Sequence, residues 1–527
     1  MLGKLLRSAF ARVARRVVAV AAPGVPQGPP GISQLLQDGA RQAGEGDWDA
    51  AEQAYRRVLQ LAPDNADALY SLAVIHGRRN EYAAARHCLE RVLADCPSHV
   101  EVINALGNIA RLQHELEEAA RYYTRALDIE PGFVPALSNL GLCLKDEGKS
   151  QEGIAYLERA FRLRPDDAGI VLNYAAGLLD LGREAEGEER LLEALRLDPN
   201  LSDAHTRLAT LQLRKGRFRE GWREYEWRIY SEEWEPQLRV DCPVWTGSPL
   251  DGCVILVRGE QGLGDQIMFA SCLPEIIAQA KLCAVEIDGR LKKLFSRSFP
   301  AARIYARRQK GVPGWVADDL KFDCQVQVGS LPYRLGRELD NFPIHRGYLA
   351  PDPVQVLAWR SRLGGLGEGP KVGISWRGGT KETRQATRSV PLSQWVPILK
   401  GRAHWISLQY GECKEEIKAL ARAEGVTVHH WREAIDDYDE TAALVSALDM
   451  VVSVQTSIVH LAGALGKRVW VLVPANPEWR YLDRGEALPW YPTARLFRQT
   501  QRGEWRPVIR RVADEVGKLP GAPQDVV

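Results

Sequence analysis

Pro63, Pro97, Pro131, Pro165 and Pro199 stand 34 residues apart along the chain. A period of that length, held through five copies, rules out one irregular core and calls for a stack of equivalent supersecondary units. Small residues recur twelve positions before each proline, as Ala51, Ala85, Ala119, Gly153 and Gly187. Bulky ones recur eight before, as Tyr55, Leu89, Tyr123, Leu157 and Leu191. A leucine followed by a small residue recurs as Leu72–Ala73, Leu106–Gly107, Leu140–Gly141 and Leu208–Ala209. Two helices per period explain all three series. The small residues let paired helices approach, the bulky ones fill the gap, and proline ends the second helix because its ring removes an N–H and clashes with the preceding turn.

This pattern resembles the tetratricopeptide repeat, in six units over residues 32–234; the sixth, with Gly221 and Tyr225, lacks its proline. Stacked helix pairs make a superhelix whose concave groove typically receives peptides. Asn139 and Asn173 fall at the same first-helix position, as in the asparagine ladder of O-GlcNAc transferase superhelices; Asn108 matches in type only. The same positions read equally well as solvated polar ones. Trp222, Trp227 and Trp234, at helical spacing, predict a packing face against the next domain. Residues 235–250 hold three prolines and read as a connector.

The totals exclude several functions. The chain has 527 residues with 69 Lys+Arg against 68 Asp+Glu, a net charge of +1, which argues against bulk electrostatic binding to nucleic acid. Nine cysteines with no CxxC pair argue against a disulfide framework or a zinc site and point to a reducing, cytoplasmic compartment. No apolar run reaches the roughly 18–20 residues that cross a membrane. The first 31 residues stand apart: Lys4, Arg7, Arg12, Arg15 and Arg16 precede any acid, and the Pro/Gly stretch PGVPQGPPG follows. Residues 1–22 read either as a solvated start or as a weak membrane-surface helix, which would make the protein peripheral at the inner membrane face.

Beyond the repeats the periodicity changes. Val254–Val257, Cys283–Ile287 and Asp323–Val328 read as short strands with helices between them; Val372–Trp376, Trp405–Gln409, Val426–His430, Met450–Val454 and Val469–Val473 form a second series. Such βα order predicts open parallel sheets, whose ligands bind beyond the strand C-termini. GGLGEGP, Gly364 to Pro370, reads as a hinge-like linker between the two series. Between Met450–Val454 and Val469–Val473, Thr456 and Ser457 open an apolar helix that ends at Gly466–Lys467. Free N–H groups at such a helix start carry about half a positive charge and bind phosphate. His460 lies one turn on, on a face that Thr456 and Ser457 share. The plain alternative is an ordinary βαβ unit capped by Thr or Ser. In the first series, Gly259, Gly262 and Gly264 make a Gly-rich turn and Asp265 starts a helix in which Pro274 marks a break. The spacing fits neither the dinucleotide fingerprint nor the phosphate loop.

Two such halves joined by a Gly-rich linker resemble the GT-B glycosyltransferases. GLGDQIMFASCLP and VQTSIVHLAGALGK resemble more closely the two motifs of the family 9, heptosyltransferase-like glycosyltransferases, and Trp479–Arg480, PWYP (489–492) and LFRQ (496–499) resemble the tail of tetratricopeptide-linked bacterial members. Where that family carries aspartate this chain has Gln455, which hydrogen-bonds but carries no charge. The implied fold class is α + α/β, an N-terminal tetratricopeptide α-solenoid followed by a GT-B fold of two Rossmann-like domains. The domains are then the basic segment and linker 1–31, repeats 32–234, connector 235–250, an acceptor-side half 251–363, a nucleotide-sugar-side half 371–515 and a tail 516–527.

The resemblance implies Asp265 as general base of an inverting transfer, a role that needs a carboxyl raised toward working pH; the structural alternative is a first-turn acid. Thr456, Ser457, Gln455, Gly264 and His460 would line the donor, His460 being equally readable as a satisfied core histidine. The run RGGTKETRQATRS offers Arg377, Lys381, Arg384 and Arg388, with Arg388 first and Lys381 second as phosphate partners. Asp439 or Glu440 would meet the ribose or base, unless both are first-turn acids of a helix. Asp437–Tyr438–Asp439 spells the DxD of metal-dependent GT-A enzymes, but in the wrong half, so no metal and no cofactor is expected. Arg480, Trp490, Tyr491 and Arg498 would cover the nucleotide or pack. The expected partners are a nucleotide-sugar donor and a protein, peptide or glycan acceptor, flagellin-like by resemblance, in the repeat groove. The competing expectation is a tetratricopeptide protein-binding scaffold with a catalytically degenerate second region.

Overall fold

A computed structural model of the chain describes residues 31–231, 240–307, 314–379 and 385–519. The basic segment 1–22, Trp234, Lys381 and Arg384 lie outside them. The chain divides into two compact units, Met1–Leu208 with Trp227–Glu235, and Ala209–Glu226 with Pro236–Val527.

The first unit is helical. Five antiparallel pairs follow one another: Ile32–Glu45 with Trp48–Leu61, Ala66–Arg78 with Tyr82–Asp95, Val100–Leu112 with Leu116–Ile129, Val134–Asp146 with Ser150–Leu163, and Ala168–Asp180 with Glu184–Leu197. The small series is the inter-helix contact. Ala51, Ala85 and Ala119 are fully buried, and a Cβ on Gly107 would stand 2.6 Å from the Tyr123 ring. Before each repeat proline the chain leaves the helix at a residue with φ between −129° and −142°: Ala62, Cys96, Glu130, Arg164 and Asp198. Proline imposes that extended geometry on its predecessor.

The sixth pair departs from the expectation. The division falls within the helix Ser202–Arg214, and Phe218–Tyr225 belongs to the second unit. Trp222 is the reason. It is buried, donates from Nε1 to the Arg337 carbonyl at 2.9 Å, and stands edge-on to Phe269, Trp479 and Trp490. Trp227 remains in the first unit, stacked on His205 with centroids 4.0 Å apart, so it is not part of that packing face.

The second unit holds two sheets. In the first, β1 (Val254–Arg258), β2 (Leu282–Ile287), β3 (Arg303–Ala306) and β4 (Cys324–Gln327) lie in the order β3-β2-β1-β4, all parallel. In the second, β5 (Lys371–Ser375), β6 (His404–Ser407), β7 (Val428–His429), β8 (Met450–Val454), β9 (Arg468–Val473), β10 (Ala487–Leu488) and β11 (Tyr491–Arg498) take the order β10-β11-β9-β8-β5-β6-β7. Only the β10–β11 pairing is antiparallel. β8 is buried at every position, as a strand covered on both faces must be. Pro274 does break its segment, with a 3-10 turn at Ala270–Cys272 between the helices Leu263–Phe269 and Leu273–Gln279.

The link between the sheets is not where the Gly-rich stretch suggested. The helix Pro353–Gly364, before that stretch, already packs on the helix Tyr438–Ala447 of the second sheet, with Trp359 Nε1 donating to Glu440 Oε2 at 2.9 Å. The crossing lies earlier. The N–H groups of Tyr348 and Leu349 both donate to the Ala464 carbonyl, at 2.8 and 3.0 Å, and Gly347 at φ +113° lets the strap lie against Gly466. Side chains from both sheets then share one core, with Ile255 and Val257 from β1 and Val451, Val469 and Val471 from β8 and β9.

Candidate functional site

Strand order locates the site. In the second sheet the chain runs outward from β5 through β6 to β7, then returns to lay β8 on the other side of β5. The first sheet repeats this with β1, β2 and β3 outward and β4 returning. Connections leave such a switch point in opposite directions and open a crevice beyond the strand C-termini. The residues that follow β5 and β8 are Trp376–Gly379 and Gln455–Ser457; those that follow β1 are Gly259–Gly262.

The loop after β5 is shaped by Gln409. Its Oε1 accepts from the N–H groups of Trp376 and Arg377 at 3.0 and 2.8 Å, and its Nε2 donates to the Arg377 carbonyl at 3.2 Å. Gly378 then lies against the Gln455–Thr456 turn, where an added Cβ would meet the Gln455 carbonyl at 2.6 Å. Thr456 caps the helix Ser457–Ala464, its Oγ1 accepting from the Ile458 N–H at 3.2 Å and lying 3.2 Å from Ser453 Oγ. Those contacts use the Thr456 hydroxyl within the turn, in agreement with the plain capping reading; Ser457 is half-buried beside it.

The two halves meet at this helix start. A Cβ on Gly264, in the first turn of Leu263–Phe269, would stand 2.9 Å from the His460 ring and 3.5 Å from Ser457 Cα. Only a residue without a side chain permits that approach, so Gly264 brings the two helix starts together. Asp265 follows it, the third residue of its helix, with Oδ2 3.4 Å from the Gly262 N–H. Its Oδ1 accepts from Arg480 Nε at 2.7 Å and also from Arg480 Nη2. Arg480 Nη1 reaches Glu478 Oε2 at 3.3 Å, and Glu478 Oε1 takes Arg388 Nη1 at 3.0 Å. Four charges of alternating sign thus run from Asp265 to Arg388. Asp265 and Arg480 are each 14% exposed. Burial alone would weaken the Arg480 cation, yet Asp265 and Glu478 outweigh it and hold its proton more tightly than usual.

His460 is a core residue. It is buried, its Nδ1 lies 3.2 Å from the Tyr491 hydroxyl, and Tyr491 reaches the Tyr348 hydroxyl at 3.4 Å. Burial, with Arg480 and Arg388 nearby, pushes its pKa down to about 3, so near neutral pH it brings no charge to a phosphate. Asp439 and Glu440, expected at the ribose, are engaged elsewhere. Asp439 takes both terminal nitrogens of Arg297 at 2.9 Å, and Glu440 takes Trp359. Asp437 pairs with Lys293 at 3.0 Å and caps its own helix at the Asp439 N–H. The DxD carboxylates therefore pin the helix Tyr438–Ala447 against the helix Lys292–Ser298. Among the described residues no group of three or more His, Cys, Asp or Glu is disposed to hold a metal ion. Arg377 is drawn off as well, donating to the Glu412 carbonyl at 2.7 Å and pairing with Glu416 at 3.3 Å. Trp490 and Tyr491 are buried, and Arg498 is spent on the carbonyls of Tyr481, Leu482 and Gly485.

Glu478 escaped the sequence reading, and its signal was position: it follows β9, whose C-terminus opens on the same edge as β5 and β8, and it joins Arg480, which the sequence had set over the nucleotide or in packing. Gln455 is 2% exposed, and neither its Oε1 nor its Nε2 has a hydrogen-bond partner. A buried amide left without any partner costs about 1–3 kcal/mol, so a water, ion or ligand group is expected to supply one.

Three stretches match models of the tetratricopeptide repeat, residues 42–109, 100–133 and 134–167; the chain carries these repeats. Protein FlbA of Caulobacter vibrioides is 34% identical over 321 residues, 58% of this chain and 53% of that protein. The chain thus spans about half the length of this curated relative. A thermophilic TPR protein of Thermus thermophilus is 24% identical, with TM-score 0.32, over 34% of this chain and 99% of that one. YrrB, a TPR protein with an unusual peptide-binding site, is 18% identical, with TM-score 0.26, over 38% and 96%. Among the described residues no helix is long and apolar enough to cross a membrane.

Proposed function

We propose that this tetratricopeptide-repeat chain is a GT-B, family 9-like glycosyltransferase that moves a sugar from a nucleotide-sugar donor to a protein or glycan acceptor received by the repeats. One observation carries the reading: the approach of Gly264 to Ser457 and His460, which sets a carboxylate on one switch-point crevice beside a helix start and two arginines on the other. Asp265 takes the proton of the acceptor hydroxyl. The acceptor oxygen bonds to the anomeric carbon as the bond from that carbon to the diphosphate oxygen breaks, and the electron pair leaves on the nucleoside diphosphate. The Ile458 N–H is already taken by Thr456 Oγ1, so the positive end of the helix Ser457–Ala464 and the Arg388 cation are what receive that charge. Inversion at the anomeric carbon follows from a single displacement.

The test is a donor panel. One of the UDP-, GDP-, ADP-, CMP- or dTDP-sugars raises the melting temperature of the second unit, by mass action. Asp265→Ala then lowers transfer by about 10²–10⁴-fold while that donor still binds. Undiminished transfer in Asp265→Ala removes the base, and a panel in which no donor binds removes the enzyme reading.

A second reading has its own support. Asp265 is ion-paired and Gln455 carries no charge, as in a repeat scaffold whose sheet region has lost its chemistry. Tight donor binding with turnover excludes it.

A further inference from the structure

A general base must present a free carboxylate oxygen to the acceptor hydroxyl. Yet both strong contacts of Asp265 are to Arg480, through Nε and Nη2, and its other oxygen has only the Gly262 N–H at 3.4 Å. At the other end of the chain of charges, Glu478 lies between two guanidiniums, with Arg480 on Oε2 and Arg388 on Oε1. A carboxylate bridging two arginines occupies the place a phosphate would take. Arg388 also keeps a buried Nε with no partner. Arg480 holds Asp265, the neighbour of Gly264, whose backbone lies against Ser457 and His460 at the start of the helix Ser457–Ala464. Among the described residues, Arg480 and Arg388 are thus each already paired with a carboxylate of the chain.

We propose that Arg480 is a positioning residue shared between two anions, and that Glu478 is an internal stand-in for the leaving diphosphate. This rests on the transferase reading above. Without donor, Arg480 holds Asp265 and Glu478 bridges the arginines. A diphosphate displaces Glu478, draws Arg480 and Arg388 onto itself, and leaves Asp265 released beside the acceptor. The base is thereby armed only when a leaving group is present to receive the electron pair, which suppresses proton abstraction in the empty site. No oxidant, metal or further reactant enters the exchange.

Inorganic pyrophosphate, titrated calorimetrically into the full chain, reads the exchange without turnover. Glu478→Gln and Asp265→Asn each remove a competing carboxylate and tighten pyrophosphate about tenfold, about 1.4 kcal/mol. Arg480→Gln weakens it about tenfold or more, with partial recovery in Arg480→Lys. The discriminating measurement is a double-mutant cycle. In the Arg480→Gln background, Asp265→Asn no longer tightens binding, because its only route to the anion is gone; a general field effect would persist there. Asp439→Asn, a carboxylate committed to Arg297, leaves the affinity unchanged. If Asp265→Asn tightens binding equally with and without Arg480, or if Glu478→Gln leaves it unaltered, the exchange is overturned even where donor turnover is observed. If the affinities behave as stated but no sugar is turned over by the unmutated chain, the transferase reading falls and the anion exchange stands.

Discussion

One polar network in the repeats and one in the sheet region are built oppositely. In the repeat network the groups close on one another. Asn139 Nδ2 donates to Asn104 Oδ1 and Asn108 Oδ1, both at 3.0 Å, Tyr123 donates to Asn108 at 2.8 Å, and Asn173 donates to Ser138 at 2.9 Å. Arg111 grips Asp146 through two nitrogens, and Lys145 takes its other oxygen at 2.8 Å. Burial by itself would raise Asp146, but Arg111 and Lys145 outweigh it and hold the carboxyl ionised. The bonds of Asn139, Asn173 and Arg111 run between successive helix pairs and tie them together. In the sheet region the corresponding groups are left open or held by exchangeable partners: the Gln455 amide, Arg388 Nε, and the chain from Asp265 to Arg388. A buried polar network that is complete builds a scaffold, and one that is incomplete keeps room for a ligand.

The sharpest way to break this contrast is to remove a member of the closed set. Asp146→Ala strands the buried Arg111 and Lys145 cations, and should cost the helical unit about 3–5 kcal/mol, read from its urea midpoint. A loss below about 1 kcal/mol would put the repeats in the same open class as the sheets.

A smaller effect comes from His460. Its folded pKa, down to about 3, lies below the unfolded value of about 6.5. The unfolded chain therefore binds more protons between those limits. The stabilisation is present in full above pH about 6.5 and is lost as pH falls toward 3. Between pH 7 and pH 5 the second unit should lose about 2 kcal/mol, and His460→Gln should flatten that slope. An unchanged slope would mean that the ring is not neutralised by burial.

The smallest change should also reverse sign. Gln455→Met removes two unpartnered polar atoms at similar volume and should stabilise the second unit by about 1 kcal/mol, seen as a raised melting temperature, while donor or pyrophosphate binding weakens. Stabilisation without loss of binding would detach Gln455 from the site.

How much of this was legible depended on reach along the chain. The 34-residue period, the paired helices and the proline-terminated ends follow from residues within one or two turns of each other, so pattern alone determined them. So did β8, its turn and the helix Ser457–Ala464, read to the residue at both ends of the strand. Thr456 and His460 were placed on the right element, though capping and core packing, the plainer of two readings, describe their contacts. β3 and β10, of four and two residues, were too short to show a pattern, and β11 was missed because PWYP and LFRQ carried a family likeness that hid an eight-residue strand.

What tertiary structure decided is every choice of partner among similar charges. The sequence offers Asp265, Asp437, Asp439 and Glu440 as acids at helix starts, with nothing local to separate them. Arg480 reaches Asp265 across 215 positions and Arg297 reaches Asp439 across 142. The sixth helix pair kept Gly221 and Tyr225 of the repeat signature, yet Trp222 found its aromatic neighbours at Trp479 and Trp490 and carried that segment into the second unit. Local sequence sets backbone conformation because its energies are short-ranged. Which of several equivalent side chains is paired, and which is left open for a ligand, is settled only when distant segments pack and exclude water.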